Sequence, residues 1–348
     1  MNEGTEFLHN IWYHAMPSAQ LRVGRMQKAE ILGLPLLFMR DTAGKVSAVR
    51  DVCPHRGIPL SYGRFDGTEV ECCYHGWRFK TDGQCCAIPS LVGDEGVNVD
   101  KIRVRSYLVH EANGQVWVYL SSQGGEGAAD IEYIPTLPGI GDRTPNVTLQ
   151  SIFPCHIDHA VVGLMDPAHG PFIHQSWFWR SARSIHEKAK AFAPRPFGWA
   201  MVRHRPSSNS KAYKLLGGVP ETEITFKLPG VRVEHIQVGK HHVINLTCVT
   251  PVNENQTMVT NSLYWTAPWL NLLRPIVRFF GGVFLGQDKR AVEMQQEGLK
   301  HEKNLLLIKD ADTQARWYYQ LKREYTTARD EGREFNNPVK ECTLRWRS

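Results

Sequence analysis

The sequence lacks a long apolar segment without charge, and this absence argues against a membrane-spanning helix. Such a helix needs about 20 consecutive, mostly apolar residues. The most apolar stretch of that length, residues 268–286, contains Arg274 and Arg278. The first residues are acidic and polar, whereas a secretory signal has a basic region followed by an apolar one. We therefore expect a cytoplasmic protein without a transmembrane segment.

Two further absences narrow the range of functions. The net charge of +6 is modest, and neither a basic run nor a recognition motif for nucleic acid accompanies it, so nucleic-acid binding is not expected. The G-x-G-x-x-G fingerprint of dinucleotide-binding domains is also missing. Any flavin or nicotinamide that serves this protein must then be bound by another protein.

The cysteines do not form a disulfide framework. Four of the eight lie in two adjacent pairs, Cys72 with Cys73 and Cys85 with Cys86, a spacing that rarely bridges a fold. Without an export signal, most are expected to be reduced thiols. At 348 residues, with 42% hydrophobic residues, the chain is long enough for two domains with substantial cores.

The sequence does contain two ligand pairs between residues 53 and 77. Cys53 and His55 form a C-x-H pair, and after sixteen intervening residues Cys72 and His75 form a C-x2-H pair. Gly or Pro beside each pair allows a tight loop that points its ligands inward. Two thiolates and two imidazoles suit a [2Fe–2S] cluster in which one iron takes both Cys and the other both His. A tetrahedral Cys₂His₂ zinc site is the alternative, although zinc modules usually begin with two Cys.

The segments CPHRG and CYHGWRF resemble the ligand loops of the Rieske non-haem iron oxygenases. Respiratory-type Rieske proteins differ, because they carry an extra Cys in each loop and hydroxyl donors to the cluster. Here Gly57 and Ile58 stand where the first extra Cys would be needed, and Trp77 stands in place of a hydroxyl donor. Fewer hydrogen bonds to the sulfurs predict a reduction potential in the lower part of the Rieske range, about −150 to 0 mV.

A second metal site is indicated by Asp166, His169 and His174. The two histidines are five residues apart, so they do not align on one face of an unbroken helix. Gly170-Pro171 interrupts the chain between them, and both imidazoles can then turn toward one point. Two His and one carboxylate bind Fe(II) on one face and leave positions for O₂ and substrate.

This stretch also resembles the mononuclear iron motif of the same family, which commonly reads N-x2-D-x2-H-x4-H. Gly163 stands where Asn is common, so any role of that Asn is absent or moved. The string GLMDPAH is especially similar to the branch of demethylating and methyl-hydroxylating monooxygenases. The resemblance implies that the third iron ligand is an Asp on a late helix, which Asp288 matches; Glu293 and Glu297 are its competitors.

The resemblance gives Asp166 a separate role. In the family this residue bridges a Rieske His of one subunit to an iron-ligand His of its neighbour, and here those would be His75 and His169. A carboxylate bonded to both imidazoles would shorten the electron path and fix both tautomers. The bridge requires a head-to-tail ring, so we expect a homotrimer. A capping role for Asp166 before Pro167 is the alternative.

These patterns predict an α+β fold of two domains. An N-terminal all-β Rieske [2Fe–2S] domain is expected at residues 1–120, where residues 102–107 and 115–120 alternate as strands do. A glycine-rich linker is expected at 121–130 and a catalytic mononuclear iron domain at 131–348. Four alternating runs, at 222–228, 231–238, 242–250 and 257–265, predict an antiparallel sheet. With a helix at 268–300, that sheet resembles the family's helix-grip catalytic domain.

The resemblance implies a terminal oxygenase that uses O₂ to hydroxylate or oxidatively demethylate a small organic substrate. Electrons would come from NAD(P)H through a ferredoxin or a flavin reductase. Four cations near the ligand loops form either a solvated rim or a docking surface for such an acidic partner: Arg56, Arg64, Arg78 and Lys80. The alternatives are an arene cis-dihydroxylating dioxygenase and a Rieske electron-transfer protein without oxygenase activity.

Overall fold

The computed structural model describes residues 6–92, 96–122, 133–174, 185–206, 218–302 and 304–348. The chain divides into two compact units: His9–Ile134, and Pro135–Ser348 together with the segment that ends at Leu8. The linker expected at residues 121–130 lies largely outside the described residues, so the predicted domain limits stay a prediction. Across the described ranges, none of the helices combines the length and apolar composition that crossing a bilayer requires.

The first unit is built from short antiparallel strands. In chain order they are β1 (Ile11–Pro17), β2 (Arg25–Ile31), β3 (Leu34–Arg40), β4 (Val46–Arg50), β5 (Arg64–Phe65), β6 (Glu69–Glu71), β7 (Arg78–Lys80), β8 (Cys85–Ala87), β9 (Ser106–Tyr107), β10 (Val109–Ala112) and β11 (Gln115–Leu120). They form sheets in the orders β1-β11-β10, β2-β3-β4-β9 and β5-β6-β7-β8. The all-β character predicted for this region is confirmed.

One predicted strand in this unit is wrong in extent. Of residues 102–107, only β9 pairs as a strand, with β4. The preceding residues, with Val104 buried among them, form only an isolated antiparallel bridge, between Arg103 and Gln84, beside the turn that leads into β8. The Val104 amide donates to the Gly83 carbonyl at 2.8 Å, and the Cys85 amide donates to the Ile102 carbonyl at 3.0 Å. The alternation therefore predicted a longer strand than the one that forms, because pairing before β9 is limited to this bridge and these two hydrogen bonds.

The second unit contains one large antiparallel sheet with helices. Its strands are β12 (Val147–Phe153), β13 (Glu187–Arg195), β14 (Gly198–His204), β15 (Glu221–Lys227), β16 (Val231–Val238), β17 (His241–Asn253), β18 (Gln256–Trp265) and β19 (Cys342–Arg347). Its helices are α1 (Ile157–Met165), α2 (Gly170–Ile173), α3 (Arg274–Leu299) and α4 (Thr313–Asp330). A 3₁₀ turn, Pro268–Leu273, leads into α3. The sheet order is β12-β18-β17-β16-β15-β14-β13-β19.

Helix α1 is fixed to α4 by a buried ion pair. The Lys322 ammonium donates to both Asp158 carboxylate oxygens, at 2.7 and 2.9 Å, and the Tyr318 hydroxyl donates to Oδ1 at 2.7 Å. Burial alone would raise the pKa of Asp158, but the hydrogen bond with His156 and the charge of Lys322 outweigh it and lower that pKa. Because the chain runs from α1 directly into the segment with His169, this pair helps to position the second ligand motif.

Candidate metal centres

The two ligand loops of the first unit close in the same way. In the first loop the Cys53 amide donates to the Ile58 carbonyl at 2.8 Å, and the Gly57 amide donates back to Cys53 at 2.9 Å. In the second, the Cys72 amide donates to Trp77 at 2.8 Å and the Gly76 amide to Cys72 at 3.1 Å. The glycine four residues after each Cys has a φ near +70°, which other residues rarely adopt, so each loop depends on it.

The loops separate thiols from imidazoles. Cys53 and Cys72 are 2% and 3% exposed and belong to a core with Leu60, Val70 and Phe79. The His55 and His75 rings lie at the outer end of the loops, with centroids 4.5 Å apart. The Trp77 ring stacks on His55 at 4.7 Å. Burial raises the pKa of Cys53 to about 11, with the Cys72 thiol as a hydrogen-bond partner, and burial beside His75 lowers the pKa of His55.

This arrangement fits a two-iron cluster better than one zinc ion. Four ligands of a tetrahedral zinc would lie within about 4 Å of one another. In the part of the chain that the structure describes, no three of these four donors come within 4.8 Å of one another. A pair of buried thiols and a separate pair of imidazoles match a cluster whose irons take Cys and His ligands respectively.

In the second unit, His169, His174 and Asp288 come together. The two Nε2 atoms are 3.1 Å apart, and Asp288 Oδ1 is 3.1 Å from His174 Nε2 and 3.7 Å from His169 Nε2. Ligands about 2.1 Å from one metal ion and at right angles to each other are about 3 Å apart. The three donor atoms, all within 4.8 Å, thus fit one face of an octahedral ion such as Fe(II).

The outer nitrogens of both histidines have acceptors. His169 Nδ1 lies 2.8 Å from the backbone carbonyl of Asp166, and His174 Nδ1 lies 3.0 Å from Gln287 Oε1. A donor hydrogen on each Nδ1 leaves each Nε2 free to bind a metal. Phe284 stacks on His174 at 4.5 Å. Sequence reasoning missed Gln287 and Phe284, although both lie on the helix of Asp288.

Helix α3 places Asp288 on its inner side. Gly281, Leu285, Asp288 and Val292 follow one another at spacings of four, three and four residues, which puts them on one side of a helix. Leu285 and Val292 are buried, and Gly281 packs closely against Leu149 of β12. Asp288 therefore occupies a position that the pattern would give to an apolar residue.

The competing carboxylates lie elsewhere. Glu293 and Glu297 are both exposed, and Glu293 pairs with Lys289 at 4.0 Å. Among the described residues they do not join a metal-binding group. The geometry favours Asp288 as the third ligand.

Asp166 lies beside the imidazole of His169 without bonding to it through its carboxylate. Its Oδ1 accepts from the Ala168 amide at 2.7 Å, and Oδ2 is 3.7 Å from His169 Nδ1. Burial raises the pKa of Asp166, which the Ala168 hydrogen bond partly offsets. The contact to His169 within the chain runs through the Asp166 carbonyl, and the bridge to His75 of a neighbouring copy stays a prediction.

The four cations near the ligand loops are all exposed: Arg56, Arg64, Arg78 and Lys80. Arg78 lies 3.6 Å from Glu69, a separation at which an exposed pair contributes little. Both readings, a solvated rim and a docking surface, fit this geometry.

Comparison with known families and proteins relates the chain to iron–sulfur oxygenases. The model of the Rieske [2Fe-2S] domain matches residues 11–107. The 4beta-methylsterol monooxygenase of Methylococcus capsulatus is 33% identical over 136 residues, which are 39% of this chain and 36% of that protein. The chlorophyllide a oxygenase of Arabidopsis thaliana is 26% identical over 324 residues, 86% of this chain and 54% of that protein. The chain thus spans about half or less of the length of these relatives.

Solved structures share their fold with most of the chain. Dicamba monooxygenase bound to dicamba superposes with a TM-score of 0.70 at 20% identity, over 94% of this chain and 98% of that one. NdmA of Pseudomonas putida CBB5 with caffeine superposes with a TM-score of 0.66 at 17% identity, over 92% of each chain. The predicted combination of a Rieske domain and a second domain with a large antiparallel sheet and helices is confirmed.

Proposed function

We propose that this chain belongs to the Rieske non-haem iron oxygenases and is the terminal oxygenase of an electron-transfer system. In the proposed reaction, one atom of O₂ enters a C–H bond of a small organic substrate and the other leaves as water. Two electrons and two protons balance this step, and the electrons come from NAD(P)H. A hydroxylated N- or O-methyl group would then leave as formaldehyde, which completes a demethylation.

The observation that carries the proposal is the group of His169, His174 and Asp288. Their donor atoms lie within 4.8 Å of one another, and both histidines are oriented through Nδ1. A pure electron carrier has no use for a second metal site on another unit, so this group separates an oxygenase from a carrier. When bound, the iron at this site would supply O₂ activation, and the [2Fe–2S] cluster would supply electrons.

The roles of the chain's own residues follow from their positions. Cys53 and Cys72 would hold one iron of the cluster inside the core, and His55 and His75 would hold the other near the surface. Asp166, next to His169, would accept a hydrogen bond from His75 of the partner subunit in a ring of three copies. Exposed Arg56 and its neighbours would receive the acidic ferredoxin or reductase.

Metal and oxygen analysis tests this proposal. We expect about three irons and two sulfides per chain, against two and two for a carrier and a single zinc for a structural module. With NADH, a surrogate reductase and ¹⁸O₂, a cell extract should yield products that carry one labelled oxygen. Products with two labelled oxygens would instead support a dioxygenase. One similar protein, the oxygenase subunit of phthalate 4,5-dioxygenase of Pseudomonas putida, is 30% identical over 155 residues.

A further inference from the structure

The sheet of the second unit carries polar side chains on the face that α3 covers. Leu149 of β12 packs on Gly281 of α3, and its cross-strand partner is Asn261 of β18. Asn261 in turn pairs with Thr247 of β17. Cross-strand partners share a face, and so do residues two apart on one strand, so Asn245 lies on this face as well. Asn245 and Asn261 are diagonal neighbours on the face of the sheet on which β12 contacts α3.

Two of these side chains have buried oxygens without a hydrogen-bond partner. In the described part of the chain, the Oδ1 atoms of Asn245 and Asn261 are both buried from solvent and have no hydrogen-bond partner. A buried carbonyl loses its hydrogen bonds to water, and folding alone does not return them. Two such groups side by side on a core-facing surface destabilise the fold, and a ligand that pairs with them would explain why they are there.

The same face leads to the iron ligands. Asp288 lies seven residues after Gly281 on α3, on the same side of the helix and about 10 Å further along it. Since Gly281 contacts the sheet at Leu149, the side of α3 that carries Asp288 is turned to the same side of the sheet as the two amides. A molecule held by these amides would therefore lie on the same side of the sheet as the proposed iron.

The face also carries two opposite charges that pair with each other. Arg232 is the cross-strand partner of Thr247, and Glu234 that of Asn245. The Arg232 guanidinium donates to Glu234 Oε2 at 3.2 Å, so the cation already has a counter-ion. A carboxylate substrate would have to compete with Glu234 for Arg232, whereas a neutral group would not.

We propose that Asn245 and Asn261 bind an uncharged hydrogen-bonding group of the substrate, a carboxamide, hydroxyl or carbonyl, and so select neutral substrates over acids. This assignment rests on the proposed oxygenase function, whose substrate it narrows. An amide can present either its carbonyl or its NH₂ group, so the pair can accept from and donate to one ligand. These residues position substrate and take no part in the chemistry.

The experiment compares ligand binding and stability in iron-loaded protein. The probes are benzamide and benzoate, which share a ring and differ in charge, at up to about 10 mM, a concentration suited to fragments of this size. The variants are Asn245→Leu and Asn261→Leu, which keep the volume and remove the amide. The control is Thr260→Val on the opposite face of β18, where the Thr260 hydroxyl accepts from Gln150 at 3.1 Å.

We expect calorimetry to show that wild type binds benzamide and not benzoate, and that each Asn variant binds benzamide about five- to tenfold more weakly. Without probe, each Asn variant should unfold about 2–4 °C higher, because an orphaned polar group has been removed. Thr260→Val should bind benzamide normally and unfold at a lower temperature.

Three results would overturn the assignment: no binding of benzamide, equal binding of benzoate, or unchanged benzamide affinity in both Asn variants. Unchanged affinity in both variants is the result expected if the two amides bind only internal water. Iron content separates this failure from that of the proposed function. A wild-type chain that takes up no mononuclear iron contradicts the oxygenase, whereas an iron-loaded chain that ignores benzamide contradicts only the substrate anchor.

Discussion

At the scale of single residues, candidate metal ligands could be predicted from the sequence because they depend on residue type and short spacing. The sequence predicts four cluster ligands from one three-residue motif and one four-residue motif. In the structure they form a pair of buried thiols, Cys53 and Cys72, and a pair of imidazoles, His55 and His75. The spacing of the motif did not indicate which way the carboxylate and the carbonyl of Asp166 point. The Asp166 carboxylate turns to the Ala168 amide, and its backbone carbonyl, which no motif encodes, contacts His169.

Asp288 offers the sharpest residue-scale prediction. Asp288→Ala should lose the mononuclear iron and keep the Rieske absorption, because it removes the one of the three donors that lies on α3 and leaves the residues of the first unit unchanged. Metal analysis and visible absorption of the purified variant measure both effects.

The matched control is Glu293→Ala, five residues further along the same helix. Glu293 is exposed and outside the metal-binding group, so this variant should keep iron and turnover. Full activity in Asp288→Ala, or iron loss in Glu293→Ala, would transfer the ligand role to another carboxylate.

We expect His14 to make the first unit sensitive to acid. Burial in β1 lowers the pKa of His14 to about 4, although its hydrogen bond with Gln115 at 2.7 Å works in the opposite direction. The unfolded imidazole has a pKa near 6.5, so below that pH the unfolded state binds the proton more tightly. The contribution of neutral His14 is complete above pH 6.5 and is lost as pH falls toward 4, by at most about 3 kcal/mol.

A His14→Gln variant measures this loss. Its unfolding free energy in urea should fall less steeply than that of wild type between pH 6.5 and 4.5. His110→Gln, at a partly exposed histidine on the nearby strand β10, should keep the wild-type slope. Parallel curves for wild type and His14→Gln would show that His14 does not carry the acid sensitivity.

At the scale of elements, half of the large sheet could be predicted. Strands β15 to β18 alternate cleanly and are separated by turns, and the four predicted runs correspond to them. The others were missed for different reasons. In β13 lysines and Pro194 obscure the pattern. Strand β19 joins the sheet by pairing with β13, about 150 residues earlier in the chain. No feature of the sequence around β19 indicates this pairing. Long-range pairing of this kind is decided by the packed fold.

Asp158 fixes two elements together, which gives an element-scale prediction. Asp158→Asn should leave the buried Lys322 ammonium without a counter-charge and cost about 3–5 kcal/mol of unfolding free energy. Because α1 leads to His169, affinity for the mononuclear iron should fall too. Chemical unfolding and iron titration measure the two effects.

An exposed ion pair in the same unit provides the comparison. Glu187→Gln breaks the contact between Glu187 and Arg345, which pairs β13 with β19 at the surface. Such pairs contribute about 0–1 kcal/mol, so this variant should stay close to wild type in stability and iron affinity. Equal losses in both variants would mean that the Asp158 pair is no more important than a surface pair.

At the scale of the whole molecule, the predicted ring of three copies would make electron transfer a property of the assembly. Asp166→Asn should retain both metals and still accept electrons from a reductase, yet form little product, because the bridge to His75 of the partner subunit would be lost. Stopped-flow reduction of the cluster and product analysis after one turnover separate these steps. Normal product yield would leave Asp166 with a local role only.

Mixed assemblies test the ring directly. Cys72→Ser should disable the cluster of one chain, and Asp288→Ala the iron site of another, so each variant alone should be inactive. If electrons pass between neighbouring copies, co-expressed variants should regain about a quarter of the wild-type rate. A junction is productive only where the intact cluster of one copy adjoins the intact iron site of the next, and a random ring of three has on average fewer than one such junction in place of three. If electrons pass within each chain, the mixture stays inactive, because no chain in it has both sites intact.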